Sequence, residues 1–153
     1  MDFFIGTINA KVDSKGRAFF PAPFRKILQT YGESRLIIKK DVYQDCLVIY
    51  PESIWTEEVK FFRSRLDPWN KKQQKLYRQL STNLQILELD SSGRLLISKQ
   101  LLQKAKISED VSFLGRDNKI EVWNPELLEE AMFDPDEFEE MAEKSLSSKP
   151  QNE

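Results

Sequence analysis

Apolar and polar positions change period several times along the chain, and each change marks an element. Ala18-Phe19-Phe20 reads as a strand, and behind Pro23 the residues Phe24, Ile27, Leu28 and Tyr31 fall at i, i+3, i+4 and i+7, which predicts a short amphipathic helix. Gly32 follows where a helix C-terminus favours a left-handed residue. Two β-rich runs come next, Leu36-Ile37-Ile38 and Cys46-Leu47-Val48-Ile49-Tyr50. From 52 to 83 the period is helical again: Trp55, Val59, Phe62 and Leu66 share one face, and Asp67-Pro68 offers an N-cap and first turn for a second helix carrying Trp69, Leu76 and Leu80.

The pattern then repeats. Asp13-Ser14-Lys15-Gly16-Arg17 recurs 77 positions later as Asp90-Ser91-Ser92-Gly93-Arg94, each leading into an apolar strand, Leu95-Leu96-Ile97 in the second copy. Ser98 is a fair N-cap for a helix with Leu101, Leu102 and Ala105, and Val111–Leu114 and Lys119–Trp123 read as strands. Each half therefore runs strand, turn, strand, helix, strand, strand. A unit of about 40 residues rarely stabilises itself without metals or disulfides, so the halves are expected to share one core. The predicted organisation is a first repeat over 1–51, a helical insertion over 52–83, a second repeat over 84–125 and a tail over 126–153. In the tail, Asn124-Pro125 opens a helix through Met132, Asp134-Pro135 opens a last short one with Phe138, Met141 and Ala142, and disorder is expected from about Ser145.

Composition narrows the chemistry. With 153 residues, 40% hydrophobic and 11% aromatic, the chain is long and apolar enough for one packed core. No run approaches the roughly 18 apolar residues of a membrane span, and the opening MDFFIGT has neither a basic leader nor a cleavable apolar segment, so a cytoplasmic location is expected. A single cysteine, Cys46, excludes an internal disulfide and reads as a small buried apolar residue, while zero histidines remove the commonest metal ligand and general base. The net charge of -2 hides an asymmetry: residues 1–125 carry 21 Lys+Arg against 15 Asp+Glu, and residues 126–153 carry 2 against 10. A basic body permits a polyanionic partner and an acidic tail does not.

The repeated turn has a plain mechanical reading. Asp13 and Asp90 can cap their own turns, Gly16 and Gly93 can take the positive φ of a tight hairpin, and the arginine then leaves at the start of a strand. Turn chemistry alone accounts for the aspartates and glycines; Lys15 and Arg17 read either as solvated charges or as ligand contacts.

Taken with Ala18-Phe-Phe-Pro-Ala-Pro-Phe-Arg25, Asp45–Pro51 and Lys119–Trp123, these two motifs resemble the MraZ family of bacterial transcriptional regulators over nearly the whole chain to about residue 130. The resemblance implies an α+β fold, a duplicated AbrB-like swapped-hairpin β-barrel with short helices and a helical insertion between the repeats. It also implies a ring-shaped homo-oligomer, nucleoid-associated, that binds short direct repeats of double-stranded DNA in the promoter of the cell division and cell wall gene cluster. Neither cofactor, membrane nor small-molecule substrate is implied, and no enzymatic activity. The DNA-contacting segments of the family fall on Asp13–Arg17 and Asp90–Arg94. Arg17 then suits bidentate reading of guanine and Lys15 a phosphate clamp. Ser14 is a phosphate donor or an ordinary turn serine, and Arg94 contacts DNA or another subunit. Ser92 in place of Lys15, and Pro23 where the family commonly has a basic residue, make the first motif the stronger candidate.

Other conspicuous residues read as structure. Phe3, Phe4, Phe19, Phe20, Trp55, Phe61, Phe62, Trp69 and Trp123 are expected in the core or at a subunit interface, rather than as base-stacking platforms. Lys71, Lys72, Lys75 and Arg78 read as the solvated face of an amphipathic helix. A rival function remains: AbrB-type barrels also occur in antitoxins, whose acidic extension wraps a toxin, and Phe138 and Met141 sit in such an extension here. A structural ring, or an enzyme using carboxylates and lysines alone, is the third reading.

Overall fold

A computed structural model describes residues 3–147, with mixed helix and antiparallel sheet, an α+β fold. The chain runs β1 (Thr7–Lys11), β2 (Arg17–Phe19), α1 (Ala22–Thr30), β3 (Arg35–Lys40), β4 (Leu47–Pro51), α2 (Glu52–Arg65) and α3 (Lys71–Leu80). It continues through β5 (Leu84–Glu88), β6 (Arg94–Leu96), α4 (Lys99–Lys104), β7 (Asp110–Arg116), β8 (Lys119–Trp123), α5 (Pro125–Glu130) and α6 (Pro135–Leu146).

The sheet order is a palindrome of the sequence repeat. Six strands run β1-β7-β8-β4-β3-β5, and β2 pairs with β6 in a separate ribbon. The first strand of each half pairs with the third strand of the other, Ile8 opposite Phe113 and Ile86 opposite Ile37, while the two fourth strands meet at the centre with Ile49 opposite Ile120. Neither half closes a sheet on its own strands, which is how short repeats without metal or disulfide share a core. Turn backbones cross in the same sense: Phe20 N donates to Gly93 O at 3.0 Å and Ile97 N donates to Gly16 O at 2.9 Å.

Between sheet, ribbon, α1 and α4 lies one apolar core. Phe4, Phe20, Phe24 and Phe113 are all within 1% of full burial, with Phe24 edge-on to Phe4 at 5.6 Å and Phe20 edge-on to Phe113 at 6.4 Å. At about 1.5–3 kcal/mol for each fully buried large apolar side chain, this cluster is a principal reason the ribbon stays docked. Cys46 is fully buried, and burial pushes its thiol up to about 12. The insertion packs more lightly, through Trp55 against Tyr50 at 5.1 Å and against Phe62 at 6.4 Å, and no residue of α2 or α3 is fully buried.

Four expectations are corrected. Asp67 does not cap α3: its carboxylate accepts from Trp69 N and its carbonyl from Asn70 N, closing a turn, and Asn70 caps instead by accepting from Gln73 N. Trp69 is thereby left outside the helix expected to carry it and is 91% exposed; with Phe3, Phe19 and Phe61, also exposed, it falls to the interface half of the expectation and not to the protomer's core. α5 stops at Glu130, short of Met132. Finally, α6 runs through Leu146 behind a complete capping box on Asp134 and Glu137, which carries helix past Ser145; the disorder expected for residues 148–153 lies outside the described residues.

Candidate nucleic-acid interface

Two turns of the same make stand at the start of β2 and β6. In the first, Asp13 Oδ1 accepts from Lys15 N and Arg17 N, both at 2.9 Å, and Oδ2 accepts from Arg17 Nε at 2.8 Å. In the second, Asp90 Oδ1 accepts from Ser92 N and Arg94 N, both at 2.9 Å, and Oδ2 from Arg94 Nε at 2.9 Å. The chain reverses through Gly16 at φ 89° and Gly93 at φ 85°, where a side chain would be strained. Gly16 is also hemmed in, since a Cβ there would lie 2.5 Å from Ile97 O. Hydrogen bonds from backbone N–H groups hold both carboxyls below the usual range, the Arg17 amide first for Asp13, which falls to about 2, and the Arg94 amide first for Asp90.

Pairing of β2 with β6 brings the turns together. Arg17 lies opposite Leu96, Ala18 opposite Leu95 and Phe19 opposite Arg94. Ala18 and Leu95 are buried, so the alternation of a strand sends Arg17, Phe19, Arg94 and Leu96 to the opposite, outer face. There Arg17 and Arg94 are diagonal neighbours, on the order of 7–8 Å apart by sheet geometry. Each aspartate holds its arginine through Nε, which leaves the two Nη groups of each uncommitted among the described residues. Phe19 is 59% exposed, with the Arg94 guanidinium 5.9 Å from its ring centre. Beside the ribbon runs a groove of about 570 Å³, lined by Lys11, Asp13, Arg17, Phe19, Arg94 and Glu109 among others.

Asp13, Gly16, Arg17, Asp90, Gly93 and Arg94 therefore converge on one ribbon. Ser14 and Lys15 sit exposed at the tip of the first turn, the amide of Lys15 engaged and its ammonium free of ion pairs among the described residues. One cation escaped the sequence reading. A side chain added at Gly93 would run into the guanidinium of Arg25, from α1, so the second turn has Arg25 beside it where the first has Lys15. Arg25 stands 77 positions before Leu102, which occupies the matching place over Gly16. That offset was the available signal; the β2–β6 pairing that carries Arg25 onto the other half's turn was not visible in it.

Such a surface suits a polyanion with a readable edge. Two guanidinium forks held by their aspartates offer planar donor pairs on one face, with the charges of Lys15 and Arg25 beside them. No group of three His, Cys, Asp or Glu side chains fit to hold a metal ion occurs among the described residues, and no helix there is long and apolar enough to cross a membrane. The buried polar groups elsewhere are satisfied internally: Lys39 Nζ donates to Thr82 O, and Glu121 accepts from Trp123 Nε1 and Arg116 Nη1.

Comparison with known proteins points the same way. The family described as "MraZ protein, putative antitoxin-like" matches residues 80–153. A protein of Bacteroides thetaiotaomicron named Transcriptional regulator MraZ is 50% identical over 135 residues, 88% of this chain and 86% of its own. Its namesake from Bacteroides fragilis is 48% identical over 88% of this chain and 85% of its own. At greater distance, Transcriptional regulator MraZ of Flavobacterium psychrophilum is 33% identical over 97% of this chain and 94% of its own.

Proposed function

Because the chain belongs to the MraZ family of DNA-binding transcriptional regulators, which are not enzymes, we propose that it reads short direct repeats in double-stranded DNA through the β2–β6 ribbon. In this reading it acts as a ring-shaped homo-oligomer on the promoter of the cell division and cell wall gene cluster, associated with the nucleoid. The observation that carries it is the convergence of two aspartate-braced arginines, Arg17 and Arg94, on one outward face of a two-stranded ribbon. A ribbon of this width fits the major groove. Arg17 reads a base, Lys15 clamps a phosphate, Ser14 donates to a neighbouring phosphate, and Arg94 with Arg25 reads or clamps from the second turn.

A single ribbon makes few contacts. Each bidentate contact contributes about 1–3 kcal/mol of discrimination, against the roughly 4–10 kcal/mol that separates specific from nonspecific binding. A ring presenting the ribbon several times closes that gap through effective concentration, worth about 100- to 10,000-fold when box spacing matches subunit spacing. Titration on duplexes with one, two and three boxes, and with one box shifted by half a helical turn, tests this. Affinity is expected to rise steeply with box number and to fall on the shift; equal affinity for one box and three would refute binding of repeats by a ring.

The antitoxin alternative has one observation in its favour, the exposed acidic helix α6, and the word antitoxin-like in the family's description. It leaves the paired arginine turns without a role.

A further inference from the structure

Two faces of the chain combine exposed apolar groups with opposite charge and have no cover among the described residues. One is α6. It carries Asp136, Glu137, Glu139, Glu140 and Glu143 against Lys144 alone, and none of its side chains is buried. Phe138, Met141 and Leu146 are 62%, 46% and 80% exposed. A twelve-residue helix is marginal in water by itself, and this one keeps an apolar stripe, Phe138, Met141 and Ala142 at helical spacing, that nothing among the described residues buries.

The other face is the α2–α3 hairpin. Between Lys60 and Leu80 stand seven Lys and Arg against Asp67 alone. Lys71, Lys72, Lys75 and Arg78 make no ion pair among the described residues. Where the two helices meet, Arg63, Leu66, Pro68, Gln74 and Tyr77 line a cleft of about 320 Å³, open at the surface.

We propose that α6 of one protomer docks on the α2–α3 hairpin of a second copy, with Phe138 entering the cleft between Leu66 and Tyr77 and the acidic side of α6 facing Lys71 and Lys75. Charge complementarity names the occupant: the Lys60–Leu80 part of the hairpin, with an excess of six positive charges, meets an excess of four negative ones on α6, both supplied by every chain in equal number. The two faces differ, so a contact that is not returned by the same neighbour is head-to-tail, and such a contact generates a ring where its rotation closes. This inference rests on the ring reading and adds to it the contact that joins neighbours.

The test exchanges charges on exposed positions, which spares the fold. Full-length protein is made as Lys71→Glu/Lys75→Glu and as Glu139→Lys/Glu143→Lys, and mass is followed by sedimentation without DNA. Each protein alone is expected to lose the assembly, its interfacial charges now repelling, with the dissociation midpoint raised about 100-fold. Mixed one to one they are expected to reassemble, because every tail then finds a hairpin of opposite sign. Phe138→Ala is expected to weaken assembly about tenfold or more while leaving the circular dichroism spectrum unchanged. Retention of the wild-type mass by both charge-reversed proteins, as a tail reserved for a toxin or a hairpin reserved for DNA would give, overturns the proposal and leaves the ring standing. Failure of the mixture to reassemble does the same. A monomeric wild-type protein overturns both.

Discussion

Arg17 and Lys15 stand two residues apart and are separated by what holds them: Arg17 is braced by Asp13 at 2.8 Å, whereas the Lys15 side chain extends from the turn tip. A braced, planar fork discriminates between bases; a mobile point charge does not. Arg17→Ala is therefore expected to lower the ratio of specific to random binding by about 1–3 kcal/mol with little change in stability, since the ion pair is solvent-screened. Lys15→Ala is expected to weaken both DNAs alike and reduce the salt slope by about 0.9. Equal losses for Arg17→Ala on the two DNAs, or unequal ones for Lys15→Ala, would reverse the assignments. The brace has its own pH signature. Asp13 is held down to about 2 by backbone N–H donors and by Arg17, so the stabilisation it gives the turn is full above the ordinary value of 3.8 and is lost as pH falls through about 2. Carboxyl chemical shifts followed by NMR are expected to place the Asp13 midpoint near 2; a midpoint near 3.8 would mean the turn is unbraced in solution.

At the level of elements the turns depend on two glycines in unequal ways, and Gly32 supplies a control. All three have positive φ, but a Cβ at Gly16 meets the main chain of Ile97 at 2.5 Å, whereas at Gly32 it meets nothing within 4 Å. Left-handed strain costs about 1–2 kcal/mol and forcing main chain apart about 1–3 more. Gly32→Ala is expected to cost about 1–2 kcal/mol and Gly16→Ala about 2–5 in chemical denaturation; similar losses at both would show that the β2–β6 ribbon is not packed as described. These turns were legible in the sequence because their chemistry is local: Asp, Gly and Arg at fixed offsets admit few alternatives. So were α1 and α4, from period and caps. What escaped was set by competition or by distance. Asp67 and Asn70 are both able caps, and only the turn that Asp67 closes decides for Asn70. Arg25 reaches Gly93 because β2 pairs with β6 of the other half and Phe20 N donates to Gly93 O, a pairing that no local pattern encodes. Trp69 and Phe61 have the composition of core residues and the exposure of surface ones. Composition ranks residue types for burial; it does not say which apolar side chains the protomer has room to cover.

Over the whole molecule the duplication produces one ribbon with two aspartate-braced arginines and a sheet that belongs to neither half. The body has a basic excess and the C-terminal segment an acidic one, and the two proposals use different basic surfaces: the ribbon carries Arg17 and Arg94 for DNA, the hairpin carries Lys71 to Arg78 for a neighbouring tail. On the proposed reading assembly and DNA binding are separable by mutation, and the central claim concerns the ribbon. Its most direct test is selection of bound duplexes from a random pool, carried out in parallel with wild-type protein and with Arg17→Ala/Arg94→Ala, both first shown to sediment alike. The wild-type protein is expected to enrich a short box recurring at regular spacing, and the double variant to retain weak, salt-sensitive binding without enriching any sequence. Enrichment of the same box by the double variant would contradict the account, because the bases would then be read from somewhere other than the β2–β6 ribbon.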